Sequence, residues 1–277
     1  MVELPDPESS EVIADWVELQ LILGNERMSR HEVSSAIEAA TGDEPDDVLL
    51  IDVWLELTRR QELYASAWFA VDGFGIESLS TDKTDALAIA AYKTCLLLSL
   101  LGAKGQVVPK LFERLTCCAI SNFWGKAIPW GNTGGGMSLR MPKLCTEMNE
   151  IFSHSPPPES YDRGVDVVGW KPFQDKRSGQ LVVLVQCAAG GDWKTKRPAP
   201  LTAWCQYIHW ASPPIIALAV PRIVETMLWH KQSTDVGLLL DRARLINLID
   251  SSCSDKKLLN DLNKWINSQL KVEKKDE

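Results

Sequence analysis

A carboxylate, an amide and two ammonium groups lie close together in the middle of the chain. Asp166 stands among valines. An unpaired carboxylate is costly to bury there, so it needs a partner or a functional role. Gln186 ends an apolar run, and Lys194 and Lys196 follow in a glycine-containing turn that leads back toward the strand ends. Upstream, Glu113 lies near the middle of a predicted helix. Oxygen ligands of these types suit Mg²⁺, which is usually bound by only one or two carboxylates of a protein.

Residues of these types could support phosphodiester hydrolysis. That reaction needs a cation to neutralise the developing charge and to lower the pKa of the attacking water. Asp166 would supply one ligand, and the Gln186 side-chain carbonyl and the Cys187 main-chain carbonyl would supply others. Glu113 would contact a water ligand or a second ion. A lysine would orient the attacking water and stabilise the negative oxygens that develop on phosphorus.

Two predicted strands joined by a hairpin must position these groups. Residues 165–168 are rich in valine, and the connection 171–180 is polar and contains proline and glycine, which predicts an exposed turn. Residues 181–185 form a continuous apolar run, which is typical of a strand buried on both faces. The acid therefore begins the first strand, and the amide ends the second.

Helices are predicted around this hairpin, because apolar residues recur at helical spacing on both sides of it. They lie at residues 10–24, 28–41, 46–64, 84–101, 107–123, 140–152, 223–229 and 255–270. A short hairpin is predicted around Asp72 and Gly73, and a further buried strand at residues 213–220. The glycine-rich segment 131–136 lacks the features of a phosphate-binding loop and is interpreted as a flexible surface loop. The pattern indicates an α/β fold, in which helices flank a mixed central sheet, with an N-terminal helical region.

Charge is distributed unevenly along the 277 residues, whose net charge is −8. Residues 1–103 hold 6 Lys and Arg against 20 Asp and Glu, residues 104–197 hold 13 against 8, and residues 198–277 hold 10 against 9. The middle segment is therefore the part compatible with a polyanion. The acidic first segment is better suited to a protein partner or to covering the basic face.

The composition also excludes some classes of protein. No apolar stretch approaches the roughly 20 residues that span a bilayer, and the first residues lack an export signal. The seven cysteines form no CxxC pair and show no zinc spacing. These features predict a protein of a reducing cytoplasm, with no membrane segment.

The sequence resembles the PD-(D/E)xK nuclease superfamily, which has the restriction-endonuclease-like fold. It looks closest to Mrr-type and related phage-defence members, in which Gln often replaces the second acid. The matching pieces are Phe112-Glu113 on the helix, Asp166 in the valine strand, and residues 181–186. The resemblance covers about residues 105–220. It implies a nuclease domain at residues 104–250, between an acidic helical region at 1–103 and a C-terminal helix and tail at 251–277.

The lysine of the family pattern is displaced in this chain. It would fall two places after Gln186, where the chain has Ala188. The resemblance then assigns its role to Lys196, with Lys194 in reserve. Without a lysine at the site, the domain would be expected to act in binding alone.

The resemblance implies a Mg²⁺- or Mn²⁺-dependent DNA endonuclease that serves as an effector or subunit of prokaryotic anti-phage defence. Glu113, Asp166 and Gln186 would form the metal centre, and Lys196 would position the water. The implied partners are DNA and a helicase or ATPase subunit, and a homodimer is left open. The alternative is a catalytically inactive restriction-like domain that binds protein or nucleic acid within a defence complex.

The candidate site residues also have structural interpretations. Asp166 could pair with Arg163, and Gln186 could satisfy main-chain groups at a sheet edge. Glu113 could belong to a solvated helix face, and the two lysines to the surface.

Structural and functional interpretations also compete at other positions. Asp162 is a spare acid that could simply belong to a loop. Trp170 and Trp193 could stack on bases, although core packing is the default for tryptophan. Asp241 and Arg242 interrupt an apolar run and are expected to form a structural ion pair.

Overall fold

The computed structural model describes residues 3–65, 68–79, 85–131, 136–157, 160–197, 199–249, 253 and 255–272. The chain forms two compact units. The first unit comprises residues 1–104, 221–223 and 242–277, and the second comprises residues 105–220 and 224–241. The first unit holds 26 Asp and Glu against 16 Lys and Arg, and the second holds 11 against 13. The acidic excess thus belongs to the first unit.

The elements of the described residues are named in chain order. They are α1 (Ser10–Leu23), β1 (Arg27–Ser29), α2 (Arg30–Thr41), α3 (Asp47–Leu63), β2 (Phe69–Val71), β3 (Gly75–Ser78), α4 (Ala86–Leu101), α5 (Val107–Trp124), β4 (Lys126–Pro129), α6 (Met137–Met148), β5 (Ile151–Phe152), β6 (Val167–Lys171), β7 (Leu181–Cys187), a 3₁₀ turn (Gly191–Thr195), α7 (Leu201–Tyr207), β8 (Ile208–His209), β9 (Ile215–Ala219), α8 (Thr226–Val236), β10 (Leu238–Leu240), α9 (Arg242–Asn247) and α10 (Lys256–Val272). The first unit contains α1 to α4, β1 to β3, α9 and α10, and the others belong to the second.

Local sequence signals account for the element ends of the first unit. Ser29 caps α2, and the Glu32 side chain accepts the Ser29 N–H at 2.6 Å, which completes a capping box. Asp72 accepts the main-chain N–H groups of Phe74 and Gly75 at 2.7 Å each, and this closes the turn between β2 and β3. The predicted helices and the predicted hairpin of this region are confirmed.

The core of the first unit contains a buried ionic network. Arg60 Nη1 donates to Asp15 Oδ1 at 2.6 Å and to Glu18 Oε1 at 2.7 Å. Arg242 Nη2 donates to the same two oxygens at 2.8 and 3.0 Å. These four side chains are at most 6% exposed. Arg242 thus has Asp15 and Glu18 as ionic partners, which the sequence, pointing to the neighbouring Asp241, did not indicate.

Hydroxyl groups satisfy the remaining carboxylate oxygens of this network. Ser99 donates to Asp15 Oδ2. Tyr64 donates to Glu18 Oε2 at 3.0 Å, and Tyr92 donates to the same oxygen. Burial raises the pKa of Asp15, but the charges of Arg242 and Arg60 outweigh it and hold the pKa at about 2.

The second unit is built on a five-stranded mixed sheet with strand order β10-β9-β7-β6-β4. β6 and β7 form the predicted antiparallel hairpin, β4 pairs antiparallel to β6, and β9 lies parallel to both β7 and β10. The prediction of a mixed α/β sheet flanked by helices is thus confirmed, as is the buried strand β9. The short strands β4 and β10 were not predicted.

Helices cover both faces of this sheet. α5 packs against β4, β6 and β7, and a Cβ at Gly169 of β6 would collide with Ile120 of α5. On the other face, side chains of α6 and α7 form a core cluster with Val168, Trp170 and Leu184. Trp170 is 1% exposed and Trp193 is 4% exposed, so both serve in core packing. α5 is therefore fixed closely against the strands that carry the candidate residues.

Two sequence expectations concern other parts of the chain. The predicted surface loop at 131–136 falls largely on residues 132–135, which lie outside the described residues. As for the membrane, none of the described helices combines the length and the apolar character that a bilayer crossing requires.

Candidate functional site

Asp166 lies just before β6 and is fixed by both its main chain and its side chain. Its N–H donates to Val185 O at 2.8 Å, and its carbonyl accepts the N–H groups of Trp130 at 2.6 Å and Gly131 at 3.1 Å. Its Oδ2 accepts the Cys187 N–H at 2.7 Å. The carboxylate is therefore held where β6, β7 and the end of β4 meet.

Three charged groups converge around Gly131. A Cβ at this glycine would stand 2.9 Å from Glu113 Oε2, 3.2 Å from Asp166 Oδ1 and 3.2 Å from Lys110 Nζ. The two carboxylate oxygens therefore lie no more than about 6 Å apart, the sum of their two distances. Lys110 Nζ donates to Glu113 Oε1 at 3.0 Å and to Oε2 at 2.9 Å. The fold thus brings together two of the sequence-predicted acids and adds a lysine.

Lys110 was missed by the sequence reasoning. It precedes Glu113 by three residues on α5, a spacing that places both side chains on one face of the helix. Its side chain is 45% exposed, whereas that of Glu113 is 9% exposed. The spacing was the available signal, since a lysine one turn before the candidate glutamate must approach the same site.

Arg140 holds the main chain over this site. Its Nη1 donates to Trp130 O at 2.7 Å, and its guanidinium carbon lies 4.3 Å from the centroid of the Trp130 ring. Because Trp130 and Gly131 also donate to Asp166, the turn above the carboxylates is fixed from two sides.

Gln186 stands at the position opposite Asp166. Val167 pairs with Val185, so Asp166 and Gln186 are the next facing residues toward the open end of the hairpin. The Gln186 Oε1 atom is buried, and no described residue donates a hydrogen bond to it. A buried acceptor without a donor costs about 1–3 kcal/mol. The atom is therefore suited to a ligand or an ordered water.

Cys187 contacts the site through its main-chain N–H, which is donated to Asp166. The sequence assigned the carbonyl of this residue to the metal. The contact that the structure provides is thus one that orients the carboxylate.

The structure does not bring the two sequence-assigned lysines to the carboxylates. Lys196 Nζ lies 3.1 Å from Asp192 Oδ2, and Lys194 Nζ lies 3.0 Å from Glu225 Oε1. Asp192 lies in the 3₁₀ turn, and Lys196 directly follows the turn, four residues later. A local ion pair therefore holds this lysine. The lysine beside the acids is Lys110.

The alternative partner of Asp166 is also engaged elsewhere. Arg163 Nη2 donates to Ser160 Oγ and to the Tyr207 hydroxyl, both at 3.2 Å. The arginine that the sequence offered to Asp166 is therefore held by two hydroxyl groups.

Burial dominates the electrostatics of the site. The pKa of Asp166 is raised to about 6, chiefly by burial; the charges of Glu113 and Asp162 also raise it, whereas the Cys187 N–H and Lys110 lower it. Burial also raises the pKa of Glu113, and the hydrogen bond and charge of Lys110 offset only part of this effect. Asp162 thus belongs to the electrostatic surroundings of the site. Lys110 offsets only part of the effect of burial on the two carboxylates, so the site favours an added positive charge.

The donor atoms fit a hard divalent cation. Asp166 and Glu113 offer carboxylate oxygens, which Mg²⁺ and Mn²⁺ prefer, and Mg²⁺ keeps several waters as further ligands. Within the described part of the chain, no group of three His, Cys, Asp or Glu side chains is placed to hold a metal. The two carboxylates therefore suit an ion that keeps water ligands, and the residues do not suit a structural zinc site.

No protein-family model, curated protein or solved structure matches this chain. An assignment of function therefore depends on the residues of the site.

Proposed function

We propose that the second unit is a Mg²⁺- or Mn²⁺-dependent nuclease of the restriction-endonuclease-like fold that hydrolyses DNA phosphodiester bonds. The observation that carries the proposal is the convergence of Glu113, Asp166 and Lys110 within about 3 Å of one point, the Cβ position of Gly131. The raised pKa values of both acids support it, because perturbed carboxylates cluster at functional sites.

Asp166 and Glu113 would hold the cation, with the buried Gln186 Oε1 as a third oxygen donor. When bound, the cation supplies neutralisation of the phosphate charge and a lower pKa for the attacking water. The hydrogen bond from Cys187 fixes one oxygen of Asp166, which leaves Oδ1 directed toward the position of the ion. This arrangement holds the ligands in place before the substrate arrives.

Lys110 would take the role that the sequence assigned to Lys196. Its ammonium group is held by Glu113, yet nearly half of the side chain is exposed, so it can meet a phosphate that arrives from solvent. There it would stabilise the negative oxygens of the reacting phosphate and orient the attacking water.

The test compares two lysines in one assay of plasmid nicking with Mg²⁺ or Mn²⁺. We expect Asp166→Asn to abolish nicking and Lys110→Gln to lower the rate by about 100-fold or more, as for loss of a charged catalytic group. Lys196→Gln is the matched control and should cleave like the wild type, since its partner is Asp192.

The outcomes separate the assignments. Loss of nicking in Lys196→Gln with full activity in Lys110→Gln would restore the lysine that the sequence indicated. Nicking by Asp166→Asn at the wild-type rate would reject the site altogether.

A second candidate function is a catalytically inactive restriction-like domain that binds a protein partner. One observation in the first unit favours it, since α3 exposes three apolar side chains along one face. They are Val48 at 60%, Ile51 at 49% and Leu55 at 64%. Such a stripe is typical of a docking surface for another helix.

The resemblance supplies the biological setting of both candidates, which is anti-phage defence together with a helicase or ATPase subunit. Calorimetric titration with Mn²⁺ separates them. Binding that is lost in Asp166→Asn supports the nuclease, whereas the absence of both cation binding and cleavage supports the inactive domain.

A further inference from the structure

One end of the five-stranded sheet presents cations and aromatic rings together. We call this surface the hairpin-end patch. It consists of Phe123, Lys126, Lys171, Phe173, Lys176 and Arg177, all of which are exposed. These residues come from the end of α5, the start of β4 and the connection between β6 and β7.

The parts of the hairpin-end patch adjoin one another. Lys126 is the register partner of Trp170, and its Nζ lies 6.0 Å from the centroid of that ring. A Cβ at Gly125 would stand 3.4 Å from Pro172 Cδ and 3.8 Å from Lys171 Nζ. The end of α5 and the end of β6 therefore form one continuous surface.

The charge of the hairpin-end patch is positive. Asp175 is the only acid in the connection 171–180, and its Oδ2 lies 3.9 Å from Arg177 Nε. Four cations therefore stand on the patch against Asp175 and the buried Glu150, whose Oε1 accepts the Gly179 N–H at 2.7 Å. Phosphates are attracted to such a surface, and their binding releases counterions from the nucleic acid.

The aromatic rings of the hairpin-end patch are open to solvent. Phe123 is 61% exposed and Phe173 is 48% exposed. The tryptophans that the sequence offered for base stacking, Trp170 and Trp193, are buried in the core and present no ring face. The two phenylalanines thus provide the stacking surface that those tryptophans do not.

We propose that the hairpin-end patch binds single-stranded nucleic acid, with bases stacked on Phe123 and Phe173 and phosphates on the neighbouring cations. Exposed rings favour a single strand over a duplex, whose bases are already stacked inside. A protein partner would not need a ring and a cation in alternation. The ligand is therefore a flexible strand with unpaired bases.

The position of the patch relates it to the proposed cleavage site, and this step rests on the proposed function. Glu113 and Phe123 are ten residues apart on α5, which corresponds to about 15 Å. Asp166 and Lys171 are five residues apart along β6, which corresponds to about 17 Å. A strand whose scissile phosphate lies at the carboxylates would therefore have its flank at the hairpin-end patch.

The experiment measures fluorescence anisotropy of a labelled single-stranded DNA of roughly 16 nucleotides, the upper end of known site sizes. It uses the full chain in EDTA, so that binding is observed without cleavage. Phe123→Ala and Phe173→Ala should each weaken binding by about 5- to 100-fold, the loss expected for one stacked base.

A charge variant and a matched control complete the design. Lys171→Gln should lower the slope of log affinity against log salt by about 0.7, the value for one phosphate contact on a single strand. Lys143→Gln removes another exposed cation, on α6, which is 81% exposed, and should bind like the wild type. All these residues are exposed, so the melting temperatures should stay unchanged.

Each outcome decides between the proposals. The patch proposal is overturned if the wild type does not bind the strand in EDTA, if the phenylalanine variants bind like the wild type, or if duplex DNA binds more tightly than the single strand. Binding that depends on the patch, in a protein that never cleaves, sustains the patch and rejects the nuclease. Cleavage by the wild type, with unchanged strand binding in the patch variants, supports the nuclease and rejects the patch.

Discussion

Two pairs of acids, one fully buried and one partly buried, are neutralised to different degrees in this protein. In the first unit, two arginines and three hydroxyl groups satisfy every oxygen of Asp15 and Glu18. In the second unit, Lys110 offsets only part of the effect of burial on Glu113 and Asp166, and Asp162 adds a further negative charge. The pKa of Asp15 is held at about 2, whereas that of Asp166 rises to about 6.

The comparison shows that burial alone does not decide the role of an acid. Burial raises the pKa of Asp15 and of Asp166 alike. The number of fixed cations makes the difference. A neutralised pair of acids contributes to structure, whereas an under-neutralised pair retains the capacity to bind a cation.

The largest expected effect lies in the neutralised network. Arg60→Gln leaves Asp15 and Glu18 with one arginine between them, and we expect a loss of about 3–5 kcal/mol in the free energy of unfolding. Urea denaturation measures it. The matched control is Arg27→Gln, whose pair with Asp72 is about half exposed and should contribute less than about 1 kcal/mol. Equal losses in the two variants would contradict the contrast between the units.

The next effect is stabilisation by a divalent cation. Mg²⁺ or Mn²⁺ at about 100 times its dissociation constant should raise the free energy of unfolding by about 2.7 kcal/mol. The gain should disappear in Asp166→Asn and persist in Asp175→Asn, an exposed acid on the hairpin connection. Thermal unfolding across a cation titration provides the measurement. A gain that survives in Asp166→Asn would place the cation elsewhere.

Without metal, Asp166→Asn should have a smaller effect, and it should raise rather than lower the free energy of unfolding. The folded pKa of Asp166, about 6, exceeds the ordinary value of 3.8. As pH rises between these values the unfolded state loses its proton first, so wild-type stability falls and the full penalty is present above about pH 6. The shift corresponds to at most about 3 kcal/mol, which partial exposure reduces. Asp166→Asn should therefore stabilise the protein by about 1–2 kcal/mol at pH 8 and have no effect below about pH 4.

Asp15→Asn is the counterpart that sharpens this test. The folded pKa of Asp15 is lowered from 3.8 to about 2, so its contribution is present above pH 3.8 and is lost as pH falls toward 2. The variant should therefore be less stable than the wild type at pH 8. Unfolding curves at pH 8 and pH 4 for both variants measure the two signs, and the same sign in both would refute the comparison.

The sequence predicted those elements whose pattern lies within a few neighbouring residues. Valines before a polar connection, and an apolar run after it, predicted β6 and β7, and so the positions of Asp166 and Gln186. β4 escaped prediction because it is a four-residue strand that ends in proline, with little apolar pattern. The choice between Lys110 and Lys196 required knowledge of which lysine the fold brings to the acids. In the folded protein Lys196 pairs with a nearby aspartate, Asp192.

The ionic network could not have been predicted from local patterns. Asp15 and Glu18 occupy positions of an amphipathic helix that usually face solvent. Their arginines lie 45 residues from Asp15, in the case of Arg60, and 227 residues from it, in the case of Arg242. A charged residue is seldom fully buried unless it is paired, and the pairing becomes visible only after folding.

The position of Arg242 has a consequence for biosynthesis. On the ribosome, α1 emerges long before the arginine that completes its charge balance and before α10, which packs on α4. The sheet that carries the candidate site is complete once Leu240 has emerged. The ionic network of the first unit can therefore be completed only after the sheet of the second unit has emerged, although α1 is translated long before that sheet.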